Sequence, residues 1–184
     1  MSAVRIVPAA ALAAAQENAL DRALAAFLAQ PSAHLTISAF PGVGKSHFFR
    51  AAKAASLPDL LVRDSDSSLH KENWPVGYLD HLTAPLPATH SITLVSSHAE
   101  VLAGLHERGI DCYVVYPRQE DKGAYMKRYR ERGSPEAFLT LMDERWDAFH
   151  EHLRSQQFAR GVEARAGEYL SDVVPRIIAD YLRQ

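Results

Sequence analysis

The chain has 184 residues, 47% of them hydrophobic and 23% charged, enough for one compact domain with a small inserted region. Twenty Lys+Arg against twenty-two Asp+Glu exclude both a polybasic nucleic-acid coat and an acidic disordered chain, so an anionic ligand has to be met by a local cluster of cations. A single cysteine, Cys112, excludes an intrachain disulfide, and no CxxC or paired Cys/His spacing suggests a structural zinc; a reducing, cytoplasmic setting is expected.

The first element is a helix over residues 8–30. Ala9 to Ala15 could pass for the hydrophobic part of a secretory signal, but Leu12 is its only bulky apolar residue. Behind it Leu20, Leu24, Phe27 and Leu28 recur at helical spacing with Glu17, Asp21 and Arg22 between them, the pattern of an amphipathic helix packed on a domain. No stretch approaches the roughly 18 apolar residues of a membrane span, which predicts a soluble protein.

After Pro31 short apolar runs alternate with helical segments. His34–Ala39, Leu60–Arg63, Ser91–Ser97 and Cys112–Tyr116 read as strands buried on both faces. Gly161–Arg165 is a weaker fifth, interrupted by Glu163 and Arg165. Ser46–Ala55 and Ala99–Arg108 read as helices between strands, the second ended by Gly109. The alternation predicts an α/β fold, a parallel sheet of about five strands with helices on both faces. Residues 69–90, with Pro75, Pro85 and Pro87 beside Trp74 and Tyr78, read as an insertion of loops and one short helix on the acceptor side of the site. From 118 to 154 the chain is helical. Ser134-Pro135 is read as a cap followed by proline at the first helical position, opening a core stripe of Phe138, Leu141, Met142, Trp146, Phe149 and Leu153.

Between the first strand and its helix stands Ala39-Phe40-Pro41-Gly42-Val43-Gly44-Lys45-Ser46, which matches G-x-x-x-x-G-K-[ST] except that Ala39 takes the first glycine's place. Gly42 and Gly44 allow the backbone to turn its N–H groups around phosphate oxygens, at the positive end of the following helix. Pro41, Gly42, Val43, Gly44, Lys45, Ser46 and His47 are therefore the expected nucleotide-binding residues, with Lys45 against the β- and γ-phosphates and the Ser46 hydroxyl on Mg2+. No N/T-K-x-D guanine-reading motif is present, and the length leaves little room for a AAA-type lid domain.

Two further clusters complete the expected site. Asp64 and Asp66, in Arg63-Asp64-Ser65-Asp66-Ser67-Ser68 directly after the second strand, lie at the carboxyl edge where open α/β sheets bind ligands. They are candidates for taking an acceptor's proton (Asp64) and for holding Mg2+ through water (Asp66). Lys122, Lys127, Arg128, Arg130 and Arg132 crowd one helix, with Arg128 and Arg132 on one face, and the segment 118–134 reads as a lid that brings these two cations over the phosphates. Ser97 and His98, ending the third strand, are lesser candidates near the metal. The other histidines are scattered, and His150 and His152 face different ways on a helix.

With FPGVGKS, DSDSS, VSSH, VYP, RYRERGS, Trp146-Asp147 and GEYLSDVV in place, the chain resembles the P-loop kinases of the nucleoside and nucleotide kinase-like group. More narrowly it resembles a family of small kinases common in bacteriophage genomes, one branch of which phosphorylates 5-hydroxymethyluracil in DNA on the way to hypermodified thymine. The resemblance covers roughly Ala33 to Val174. It implies a P-loop NTPase fold, ATP and Mg2+ as cofactors, Lys45, Asp64 or Asp66, Arg128 and Arg132 as catalytic residues, and Ala166-Gly167 near the adenine. The implied activity is γ-phosphate transfer to a hydroxyl or phosphate of a nucleotide-type acceptor, free or as a modified base in DNA. A nucleoside monophosphate kinase acting on free nucleotides and a non-catalytic ATP-binding regulatory module are the alternatives.

Overall fold

The computed structural model describes residues 9–55, 57–65 and 67–184. Five strands, β1 (Ala33–Ala39), β2 (Leu60–Asp64), β3 (His90–Val95), β4 (Tyr113–Pro117) and β5 (Arg160–Ala164), form one sheet in the order β2-β3-β1-β4-β5. Every neighbouring pair is parallel. β1, which leads into the glycine-rich loop, is thus the central strand. β1, β3 and β4 are almost wholly buried, as their apolar runs predict, whereas the edge strands are not. β2 is half-buried and β5 largely exposed, which is why Glu163 can stand in it.

Register refines the expectation that both faces are apolar. Leu35 and Ile37 of β1 align with Ile92 and Leu94 of β3, and Ile37 with Tyr113 of β4, giving one apolar face. The alternate residues His34, Thr36 and Ser38 align with Ser91, Thr93 and Val95, so the other face carries hydroxyls through its centre. Helices cover both. α1 (Ala9–Leu28) packs against α7 (Leu170–Tyr181), and Phe27 meets the rings of His90 and Tyr181. α2 (Lys45–Ala55) lies beside β2; on the hydroxyl-bearing side α3 (Val76–Thr83) packs on α4 (Ala99–Glu107). Each Leu, Ile or Phe fully buried between these layers contributes roughly 1.5–3 kcal/mol.

The insertion between β2 and β3 contains a 3-10 segment (Ser67–Asn73) before α3. Arg63 holds α3 in place by donating to the carbonyls of His81 (3.1 Å) and Leu82 (2.8 Å) at its C-terminal end. Beyond β4 lie α5 (Lys122–Glu131) and α6 (Glu136–Arg154). Pro135 itself occupies the cap position of α6, with no side-chain cap, so the helix starts one residue later than the Ser134-Pro135 pattern predicts. Ser134 instead accepts a hydrogen bond from Arg132 Nε at 2.7 Å. Met142, Trp146 and Leu153 of the α6 stripe are buried, Phe138 and Phe149 partly so, but Leu141 is 47% exposed and is not core. His150 is buried with both ring nitrogens on backbone carbonyls, of Trp146 and Pro117, while His152 points elsewhere. No helix among the described residues is long and apolar enough to cross a membrane.

Candidate nucleotide and acceptor site

Ala39 is the last residue of β1 and pairs with Val115 of β4, so the place of the missing glycine is extended strand, which alanine adopts without strain. The chain then turns. Gly42 and Gly44 have φ of +83° and +105°, in the region that favours glycine. At Gly42 a side chain is also excluded by contact, since a Cβ there would stand 2.7 Å from Cε1 of the fully buried Tyr129 ring. Val43 is buried beneath the loop and accepts a backbone hydrogen bond from Leu170 at 2.8 Å. Lys45 and Ser46 open α2, whose first-turn N–H groups have no partner within the helix and therefore point into the loop. Lys45 Nζ donates to the Ala39 carbonyl at 2.7 Å, across the mouth of the turn.

The loop is braced by two side chains of α5. Tyr129 Oη donates to the Pro41 carbonyl at 2.8 Å, and Arg128 Nη1 donates to the Gly42 carbonyl at 2.7 Å. The Arg128 guanidinium lies between the rings of Tyr125 and Tyr169, 4.6 and 4.3 Å from their centres. Tyr125 and Tyr129 are buried, so α5 is docked on the loop rather than raised above it. Arg132 does not join Arg128. It stacks on Tyr129 and Phe138 and binds Ser134, at the junction of α5 and α6.

Tyr169 is the residue that sequence reasoning passed over. It follows the turn containing Ala166 and Gly167 (φ +83°), sits 6.2 Å ring to ring from His47, and crowds Gly44, where a Cβ would meet its ring at 3.2 Å. That turn is fastened by Glu168, which accepts from the Arg165 N–H at 2.7 Å and from Arg176 at 2.7 and 3.0 Å. Burial alone would raise the Glu168 carboxyl; the hydrogen bonds from Arg176 and Arg165 outweigh it and hold the group below the usual range. The one signal in the sequence is an aromatic residue just after the last strand's glycine turn.

At the other end of the sheet edge, Asp64 closes β2 in register with Leu94 and is half-buried. Asp66 lies outside the described residues. Trp74 and Tyr78 stack on each other with centroids 5.4 Å apart. Tyr78 is fully buried, donates to the Ser65 carbonyl and accepts from the Ser96 N–H, tying the ends of β2 and β3 together. Ser96 and His98 are hydrogen-bonded to each other, and the His98 ring meets the edge of Trp74 at 5.1 Å.

Between these halves opens a cavity of about 570 Å3. Pro41 and Lys45 form one wall, residues 96–100 a second, and Phe138, Leu141, Met142 and Phe149 of α6 a third. The exposure of Leu141 follows from its place at this opening. Among the described residues, which do not include Asp66, no group of three or more His, Cys, Asp or Glu could hold a metal ion. The glycine cradle, the start of α2 and Lys45 fit a nucleotide triphosphate, with Ser46 fitting its Mg2+.

Loop, sheet order and helix placement define a P-loop NTPase fold. The crystal structure of polyphosphate kinase 2 from Arthrobacter aurescens TC1 is similar at a TM-score of 0.51 and 15% identity, over 94% of this chain and 76% of that one. A de novo designed protein of P-loop NTPase fold is also similar, at a TM-score of 0.37 and 11% identity, over 84% of this chain and 93% of the design. No protein-family model and no curated protein matches the chain.

Proposed function

We propose that the protein is an ATP-dependent phosphotransferase of the P-loop kinase type, acting on a hydroxyl or phosphate of a nucleotide-type acceptor, free or as a base in DNA. The observation that carries this reading is a phosphate loop whose lysine opens onto a second cavity large enough for an acceptor. A binding module needs the first and has no use for the second.

In this reading the acceptor oxygen forms a bond to the γ-phosphorus as the bond from that phosphorus to the β,γ-bridging oxygen breaks, and ADP leaves. A hydroxyl gives up its proton, for which Asp64 is proposed, whereas a phosphate acceptor is already ionised. Lys45 exchanges the Ala39 carbonyl for phosphate oxygens, Ser46 ligates Mg2+, which adds charge neutralisation, and Arg128 keeps the loop in shape. Tyr169, with Ala166 and Gly167, is proposed to border the adenine. Incubation with labelled ATP and a panel of nucleosides, nucleoside monophosphates and DNA with and without 5-hydroxymethyluracil tests the assignment. Label should enter one acceptor class; hydrolysis to free phosphate with no labelled acceptor would favour the ATP-binding module.

A further inference from the structure

The cavity beside Lys45 has a chemistry of its own, and any acceptor role for it rests on the phosphotransferase reading. Its long wall is an apolar shelf on α6, where Phe138 and Phe149 are half-buried and Leu141 exposed, with Met142 behind them. Facing the shelf are the serines 96 and 97, His98 and Glu100, hydrogen-bonding groups that can read a ring edge or a sugar. Its volume of about 570 Å3 lies within the range of small-molecule sites. A flat heteroaromatic ring against the shelf would cover apolar surface that water now contacts, and would leave a hydroxyl or phosphate directed at Lys45.

The charges argue against a polyanionic chain. Lys45 and Arg145 are the cations of the lining beside two histidines, and Glu100 sets a carboxylate among them. A polyphosphate or a DNA strand, with one negative charge per phosphate, needs a row of cations along its path. A single nucleoside does not.

We propose that this cavity is the acceptor site and holds one free nucleoside or nucleoside monophosphate, its base on the shelf formed by Phe138, Leu141 and Phe149. Leu141 is the residue to change, because its exposure allows replacement without unfolding the core. Calorimetric titration of the whole protein with adenosine, guanosine, cytidine, thymidine and their 5′-monophosphates reads binding without catalysis. At least one should bind, and Leu141→Gln should weaken it about tenfold or more while Leu141→Met restores it. ATP affinity, measured on the same variants, should stay within about twofold. Binding of none of the eight compounds, equal binding by Leu141→Gln, or saturable binding only of inorganic polyphosphate or a DNA oligonucleotide would overturn the assignment. A wild-type protein that binds a nucleoside on this shelf but transfers no phosphate from ATP would leave the site standing and remove the kinase reading.

Discussion

Arg128 Nη1 hydrogen-bonds the Gly42 carbonyl at 2.7 Å, joining the middle of α5 to the crown of the phosphate loop. Its guanidinium is sandwiched between Tyr125 and Tyr169, so a single side chain couples the loop, α5 and the turn before α7. A charged hydrogen bond and two stacking contacts meet there. Arg128→Ala should cost about 2 kcal/mol of stability in urea unfolding. Arg128→Lys should recover only part of it, because an ammonium cannot stack between both rings while reaching the carbonyl. Loss of ATP affinity is expected in both variants; unchanged affinity and stability would mean the contact braces nothing.

Gly42 has no room for a side chain and a backbone conformation that favours glycine. With φ of +83° and the buried Tyr129 ring 2.7 Å from any Cβ, Gly42→Ala must displace either the loop or α5. A loss of about 1–3 kcal/mol and of detectable ATP binding is expected. Calorimetric titration with ATP and thermal unfolding of this variant check both.

Glu168 makes the turn before α7 sensitive to acid. Its folded-state carboxyl is held below the unfolded value, so its contribution is complete above the unfolded glutamate pKa of about 4.3 and disappears as pH falls through the lower folded value. The difference in melting temperature between the wild type and Glu168→Gln should be constant near neutrality and shrink below about pH 4. Thermal melts from pH 3 to 7 measure it, and a pH-independent difference would deny the carboxylate its role.

Cys112 is buried at the start of β4, and burial pushes its thiol up to about 12. The native protein should therefore be inert to a thiol reagent at pH 8 and react stoichiometrically once denatured. Rapid reaction of the folded protein would place the thiol elsewhere.

The sheet and the phosphate loop were legible because their signals are local. Short apolar runs mark the strands, and glycine, lysine and serine at fixed spacing mark the loop. The surroundings of the loop were not legible, because they depend on which distant residues meet. Tyr129 lies 88 positions from Pro41, the carbonyl to which it donates, and nothing in either segment announces the contact. Helical spacing predicts Arg128 and Arg132 on one face, but Arg132 caps the end of α5 and the nearby Ser134 and Phe138 hold it away from the loop. The same limit applies to Leu141: periodicity counts it with the core stripe, and only the position of α6 beside the end of β3 shows that a cavity faces it.

In the proposed function Lys45 serves phosphate and not the fold. It donates a hydrogen bond to the Ala39 carbonyl, and its side chain is only partly buried. The decisive measurement is transfer of labelled γ-phosphate from ATP to the acceptor found in the panel, by the wild type and by Lys45→Ala of equal melting temperature. Transfer by the wild type is expected, with a loss of about a thousandfold or more in the variant, the scale of a missing phosphate-clamping charge. Full transfer by a folded Lys45→Ala protein would contradict that role.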